Sequence, residues 1–220
     1  MSKLKSQSSK IFALAKKICA KLLRPVKRLV TDNPVLVSGL SLGPVIAISQ
    51  SLKAGLSLSV AFCIIIVPVL VIFGFIPIKL SKSMRIILAA LMSCVFFVPA
   101  LWFAQTIFPE VNDKVGVFLP LMVVNPIINA KSADAANGYK PLTSMKRGIE
   151  TAVSFSLVMC FVSALREILG KGTIWDAPIS TFTGNFSFQL PFMGFIIVGL
   201  LAAGLKSLSA LMSKKEEASK

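Results

Sequence analysis

The chain has 220 residues, 55% of them apolar and 15% charged, with a mean hydropathy of +0.81 and a formal net charge of +15. That hydropathy excludes an ordinary soluble globule, and the absence of histidine removes the commonest general base and metal ligand. The basic excess does not form a stripe interleaved with aromatic platforms, so a nucleic-acid partner is excluded as well.

Residues 1–32 read as a cytoplasmic basic amphipathic helix. Ile11, Leu14, Ile18 and Leu22 recur at helical spacing between Lys10, Lys16, Lys17, Lys21 and Arg24, and Pro25 ends the pattern. Its nine basic residues and broken apolar run do not make a signal peptide. Two docking places fit: an anionic membrane surface, or a partner subunit.

Residues 33–212 read as a six-span membrane domain and 213–220 as a cytoplasmic tail. The apolar stretches lie at about 34–50, 55–78, 85–108, 115–131, 149–169 and 191–212, against about 20 residues needed to cross a hydrocarbon core. Pro68, Pro77 and Pro99 read as kinks in otherwise continuous spans. The loop 170–190, with Trp175, Phe182, Phe186 and Phe188, suits the membrane interface or a neighbour. With the amino terminus inside, 20 of the 24 basic residues fall on cytoplasmic pieces, and only Lys53, Lys114, Arg166 and Lys171 lie elsewhere. That bias, correct at every loop, places both termini in the cytoplasm of a multi-pass protein of the bacterial inner membrane.

The first and fourth stretches are short and interrupted. Gly39, Gly43 and Pro44 break the first; Pro120, Asn125 and Pro126 break the fourth. They open two three-helix halves that run in opposite senses, so the all-α fold is expected to be two inverted three-helix repeats with broken first and fourth helices. Paired interruptions of this kind mark a site near the bilayer midplane, because hydrocarbon cannot satisfy freed backbone groups. The candidate site residues are Leu42, Gly43, Pro44, Asn125 and Pro126, with Ser38, Ser41, Ser49 and Asn129 as nearby polar groups.

Cys63, Cys94 and Cys160 sit inside apolar stretches, Cys19 sits outside them, and no CxxC pair occurs. The three are expected to be small buried side chains. Glu150 and the Arg166–Glu167 pair, at the ends of the fifth span, read as interfacial anchors or subunit contacts rather than a proton relay. No span holds a central carboxylate, and no phosphate-binding loop or nucleophile–base pair occurs, so a conventional catalytic site is not expected.

The run Asn33-Pro34-Val35-Leu36 followed by Gly39-Leu40-Ser41-Leu42-Gly43-Pro44 resembles the opening span of the Rnf/Nqr membrane subunits. Gly116-Val117-Phe118-Leu119-Pro120-Leu121 through Asn125 resembles their fourth span, and Arg166-Glu167-Ile168-Leu169-Gly170-Lys171-Gly172-Thr173 the close of their fifth. The inside amino terminus favours the type called E in Rnf and D in Nqr. The resemblance implies a non-catalytic membrane subunit of an ion-translocating electron-transfer complex. Its partners would be a homologous six-helix subunit forming a pseudo-symmetric pair, further membrane and flavin-bearing redox subunits, and the lipid bilayer. It also implies a [2Fe–2S] cluster shared by the pair, with one cysteine from each broken span. The family ligand positions fall here at Gly43 and Pro126, which cannot bind iron. The chain is therefore expected to hold no metal or cofactor through its own cysteines and to act as a scaffold or ion-path subunit. An alternative function is a stand-alone inverted-repeat secondary transporter for a small solute or ion, using the polar groups at the breaks.

Overall fold

The computed structural model describes residues 33–76, 81–111, 115–116, 118–136, 140–179, 184 and 186–217, the last ten by backbone alone. Within them the chain is helical except for one small hairpin. Helix α1 spans Leu42–Ile48, α2 Leu52–Phe73, α3 Lys82–Ile107, α4 Pro126–Ala136, α5 Pro141–Lys171 and α6 Pro191–Glu217. Single 3-10 turns lie at Pro109–Val111, Leu119–Met122 and Phe186–Gln189. Strands β1 (Thr173–Ile174) and β2 (Ala177–Pro178) pair antiparallel after α5. The amphipathic segment expected at 1–32, Pro77, and the last three residues of the tail lie outside the described residues.

The helix boundaries follow from local chemistry. The Ser51 hydroxyl accepts from the Ala54 amide at 3.3 Å to cap α2, and Ser81 caps α3 through Met84. Pro126, Pro141 and Pro191 occupy first helical positions, where a missing N–H costs nothing. Gly172 closes α5 in the left-handed conformation, φ 66°. Pro68 and Pro99 sit inside α2 and α3, which continue past them as the sequence predicts.

Three helices, α2, α3 and α5, are long and apolar enough to cross a membrane, and α6 contributes a shorter apolar stretch, Pro191–Ser207. The central pair is α2 with α5: 56% and 50% of their apolar windows are buried within the chain, against 17% for α3. Leu58, Phe62, Ile65, Ile66 and Val69 of α2 meet Phe155, Met159 and Val162 of α5 in the core. The rings of Phe62 and Phe155 lie 4.3 Å apart. Lipid is as apolar as leucine, so such helices are held by close fit rather than by escape from water. Small residues provide the fit. Gly55 faces Ser163, Gly148 faces the Val67 backbone, and Gly74 faces Pro141 and Ser144.

The element bounds refine the expected stretches, and the placement of the cysteines needs correction. The first stretch is helical only over Leu42–Ile48; residues 34–41 are turns, with Gly39 at φ 65° and Ser41 at φ 65°. The fourth stretch breaks at 123–125 and resumes as α4, which runs on to Ala136. Helix α5 begins at Pro141, ahead of the apolar stretch expected for span five, and α6 runs to Glu217. Cys63 and Cys94 are exposed and Cys160 is half-buried, not interior. A span has an outward apolar face, and hydropathy alone does not tell that face from the core. The same reason explains the outward stripe Ile87, Leu91, Val95, Val98 and Trp102 on α3.

A methyl group at Gly55 would overlap Ser163 Oγ and lie 3.0 Å from its Cβ. The hydroxyl can rotate away but the Cβ cannot. Gly55→Ala is expected to cost about 1–3 kcal/mol in detergent unfolding, and Ser163→Gly added to it to recover part of that loss. An unchanged melting temperature in the single variant would refute the close approach.

Candidate site at the two helix breaks

The two interruptions meet. Asn125 precedes α4 as its cap, with Oδ1 accepting from the Ile127 amide at 2.9 Å and Pro126 following at the first helical position. Its Nδ2 donates to Ser41 Oγ at 2.9 Å and to Met122 Sδ at 3.4 Å. Ser41 stands at the cap of α1, and its hydroxyl serves the other break instead of its own helix. Both side chains are buried. An amide side chain with three partners thus welds residues 84 positions apart.

Around this joint the expected site residues divide by side. Leu42 and Pro44 are half-buried, while Gly43 and Pro126 face outward. A Cβ built at Gly43 meets nothing within 4 Å. Of the other polar groups, Ser38 lines a cleft of about 420 Å³ between the turns at 35–42 and α6, with Leu36, Gly39, Phe195 and Val198. The Asn129 carbonyl accepts from the Ser132 hydroxyl, and Ser49 is buried elsewhere, beside Arg166. Asn33 repeats the Asn-Pro device at the start of the first stretch: its Oδ1 accepts from the Val35 amide at 2.9 Å, and its Nδ2 donates to the Ser154 carbonyl of α5 at 3.1 Å.

The far end of α1 is held by residues that sequence reasoning misplaced. Arg166 and Glu167, expected as interfacial anchors or subunit contacts, are 0% and 1% exposed and spend their side chains on partners within the chain. Arg166 Nη1 donates to the Ile46 carbonyl at 2.6 Å and to Ser49 Oγ at 2.7 Å. Nη2 donates to the carbonyls of Gln189 at 2.7 Å and Leu190 at 3.2 Å, and Nε to that of Phe188 at 3.2 Å. Five guanidinium N–H groups meet five acceptors. Four of these are carbonyls at the ends of α1 and of the 3-10 turn before α6, where helix dipoles concentrate negative charge. Gly194 makes room: a Cβ there would lie 3.3 Å from Arg166 Nη1 and 2.9 Å from Ile46 Cγ2.

Glu167 does the converse. Its Oε2 accepts from the Leu52 amide at 2.5 Å, at the positive start of α2, and its Oε1 accepts from the Asp176 amide at 3.0 Å and the Thr173 hydroxyl at 3.3 Å. Adjacent residues on α5 therefore terminate one broken helix and begin the next. The signal was present: a charged pair beside an apolar run, in a chain whose charges otherwise avoid such runs. Its partners were not legible, because most of them are backbone groups. Glu150, by contrast, is exposed.

Among the described residues Cys63 lies on α2, Cys94 on α3 and Cys160 on α5, each as a free thiol. Among the described residues no three His, Cys, Asp or Glu side chains gather into a metal-binding group.

Comparison with known proteins matches residues 22–211 to the family described as Rnf-Nqr subunit, membrane protein. The chain is 28% identical over 215 residues to the E-type component of an ion-translocating oxidoreductase complex from Cellvibrio japonicus, covering 88% of each chain. It is 30% identical over 193 residues to the component of the same name from Shewanella oneidensis, covering 78% of this chain and 81% of that one. To the D-type component of a Na(+)-translocating NADH-quinone reductase from Serratia proteamaculans it is 26% identical over 194 residues, 84% of this chain and 92% of the relative.

Substitutions at both places test the clamp and the joint. Arg166→Met strands buried carbonyls at the end of α1 and is expected to cost about 3 kcal/mol or more in detergent unfolding, with Arg166→Lys regaining only part, since its three donors cannot serve five acceptors. For the joint, a double-mutant cycle of Ser41→Ala and Asn125→Ala is expected to return a coupling of about 1 kcal/mol; strict additivity would dissolve the contact.

Proposed function

The chain belongs to the Rnf-Nqr family of membrane subunits, and from that premise we propose that it serves as the scaffold subunit of an ion-translocating oxidoreductase complex, presenting two welded helix breaks to a homologous partner. In this reading the membrane domain is six spans in two inverted halves, set in the bacterial inner membrane with both termini in the cytoplasm. The relatives are subunits of such complexes by name. Flavin-bearing and other membrane redox subunits are the further partners that the resemblance implies.

One observation carries the proposal. At the junction of the breaks Asn125 is consumed by Ser41, Met122 and Ile127, and Ser49 by Arg166, while the outward residues Gly43 and Pro126 leave open surface. A solute carrier needs unspent polar groups at its broken helices. A scaffold needs them spent, with backbone free to approach a neighbour, and a glycine facing outward allows that approach.

The cluster implied by the resemblance does not fit the residues present. Thiolates hold such centres, and Gly43 and Pro126 offer none; Cys63, Cys94 and Cys160 stand on three separate helices. In this reading no electron-transfer step runs through a cluster held at Gly43 and Pro126. Its contribution is mechanical: rigid half-helices, buried charge ends and a pairing surface.

Purification of the tagged chain in mild detergent, with mass spectrometry and an iron assay, is expected to recover a homologous membrane subunit and redox subunits. Gly43→Trp adds bulk where the single chain has open space. It should leave the chain's own stability within about 0.5 kcal/mol of wild type while reducing recovery of the partner by about tenfold, or 1.4 kcal/mol. Solitary purification with specific solute uptake would overturn the scaffold reading.

A further inference from the structure

Three apolar helices stop at one level. Helix α2 begins at Leu52, α3 ends at Ile107 and α5 ends at Lys171. Side chains tie these ends into a layer: Lys53 Nζ bridges Glu110, just past α3, at 2.8 Å and Asp176, just past α5, at 2.9 Å, and Glu167 of α5 accepts from the Leu52 amide. Apolar helix lies on one side of that layer and charge lies in it. In a bilayer this is where hydrocarbon gives way to headgroups.

The hairpin projects from this layer. Its register pairs Ile174 with Ala177, so Trp175 and Asp176 form the two-residue turn, both left-handed at φ 59° and 62°. Asparagine and glycine adopt that turn readily. A tryptophan there is strained by the clash of its Cβ with the backbone, and such strain persists only where the surroundings impose it. They do: Glu167 Oε1 accepts from both the Thr173 hydroxyl and the Asp176 amide, and Lys53 holds the Asp176 carboxylate. The aim of the tip is therefore fixed, yet Ile174 and Trp175 remain 46% exposed each.

We infer that the Ile174–Trp175 tip is a built membrane-interface anchor, seated in the headgroup–glycerol layer of the surrounding lipid. The indole suits that layer, with an apolar body and one N–H that needs a polar partner. Neighbouring charge selects lipid over a protein occupant. The side chains of Glu110 and Asp176 are 74% and 54% exposed beside the tip, and a protein face covering Trp175 would strip their water. Headgroups and interfacial water keep them solvated. The inference rests on α2, α3 and α5 being spans, which the same experiment checks separately.

The chain has two tryptophans, Trp102 and Trp175, so Trp102→Phe leaves the tip as the sole reporter and Trp175→Phe leaves a reporter on the outward stripe of α3. Each full-length variant is reconstituted in phosphatidylcholine–phosphatidylglycerol vesicles carrying either a headgroup spin label or mid-chain brominated lipid. Trp175 should be quenched at least about twofold more by the headgroup label than by the mid-chain label, as an interfacial residue is. Trp175 quenched by aqueous iodide but by neither lipid label overturns the anchor, as does shielding from all three quenchers. With either failure, lipid quenching of Trp102 shows that the spanning helices stand; if Trp102 also escapes both lipid labels, the spans fall and the anchor with them.

Discussion

Hydrocarbon offers no hydrogen bond to a peptide group, and the interrupted stretches of this chain answer that constraint. Two of its apolar stretches are interrupted, and each interruption frees amides and carbonyls. Side chains take the place of water. Asn33 and Asn125 close the turns that follow them by accepting from amides two residues on. Arg166 gathers carbonyls at the far end of the first break, and Glu167 receives the first amide of the next helix. Removal of any one leaves a backbone group with no alternative partner, which is why a short helix of seven residues, α1, holds its place.

The clamp also settles an electrostatic difficulty. A buried guanidinium and a buried carboxylate are each costly unless well paired. Here neither depends on a direct ion pair with the other. Each faces the helix end of opposite partial charge, so the backbone supplies the counter-charge already aligned. The geometry is exacting for the cation, whose five donors need five acceptors in a plane, and it explains Gly194 above the guanidinium. Lys53, reaching two carboxylates from the same end of the bundle, extends the polar layer outward without entering the core.

The central helices rest on a different principle. Packing of α2 against α5 relies on Gly55, Gly74 and Gly148 meeting serines and backbone, since lipid gives helices no hydrophobic reason to associate. The outward faces, by contrast, accept almost any apolar residue. Cys63, Cys94 and the stripe on α3 stand there, and an expectation of buried thiols failed for that reason. At Gly43 and Pro126 the outward position has a different consequence: the residues are small or rigid, without a side chain that binds iron, and exposed on the single chain.

Membrane class, the apolar stretches and the presence of two breaks were legible in the sequence because their causes are local. Hydropathy acts residue by residue, and glycine and proline act on their own turn of helix. The Asn-Pro pairs at 33 and 125 likewise announce turns and helix starts without help from the rest of the chain. The weld of Ser41 to Asn125, the carbonyl targets of Arg166 and the strained turn at Trp175 were decided only by tertiary structure. Each depends on groups brought together across 22 to 120 positions, or on a backbone conformation that its own residues disfavour. Several of the partners are peptide groups, which every residue possesses and which therefore leave no mark in a sequence.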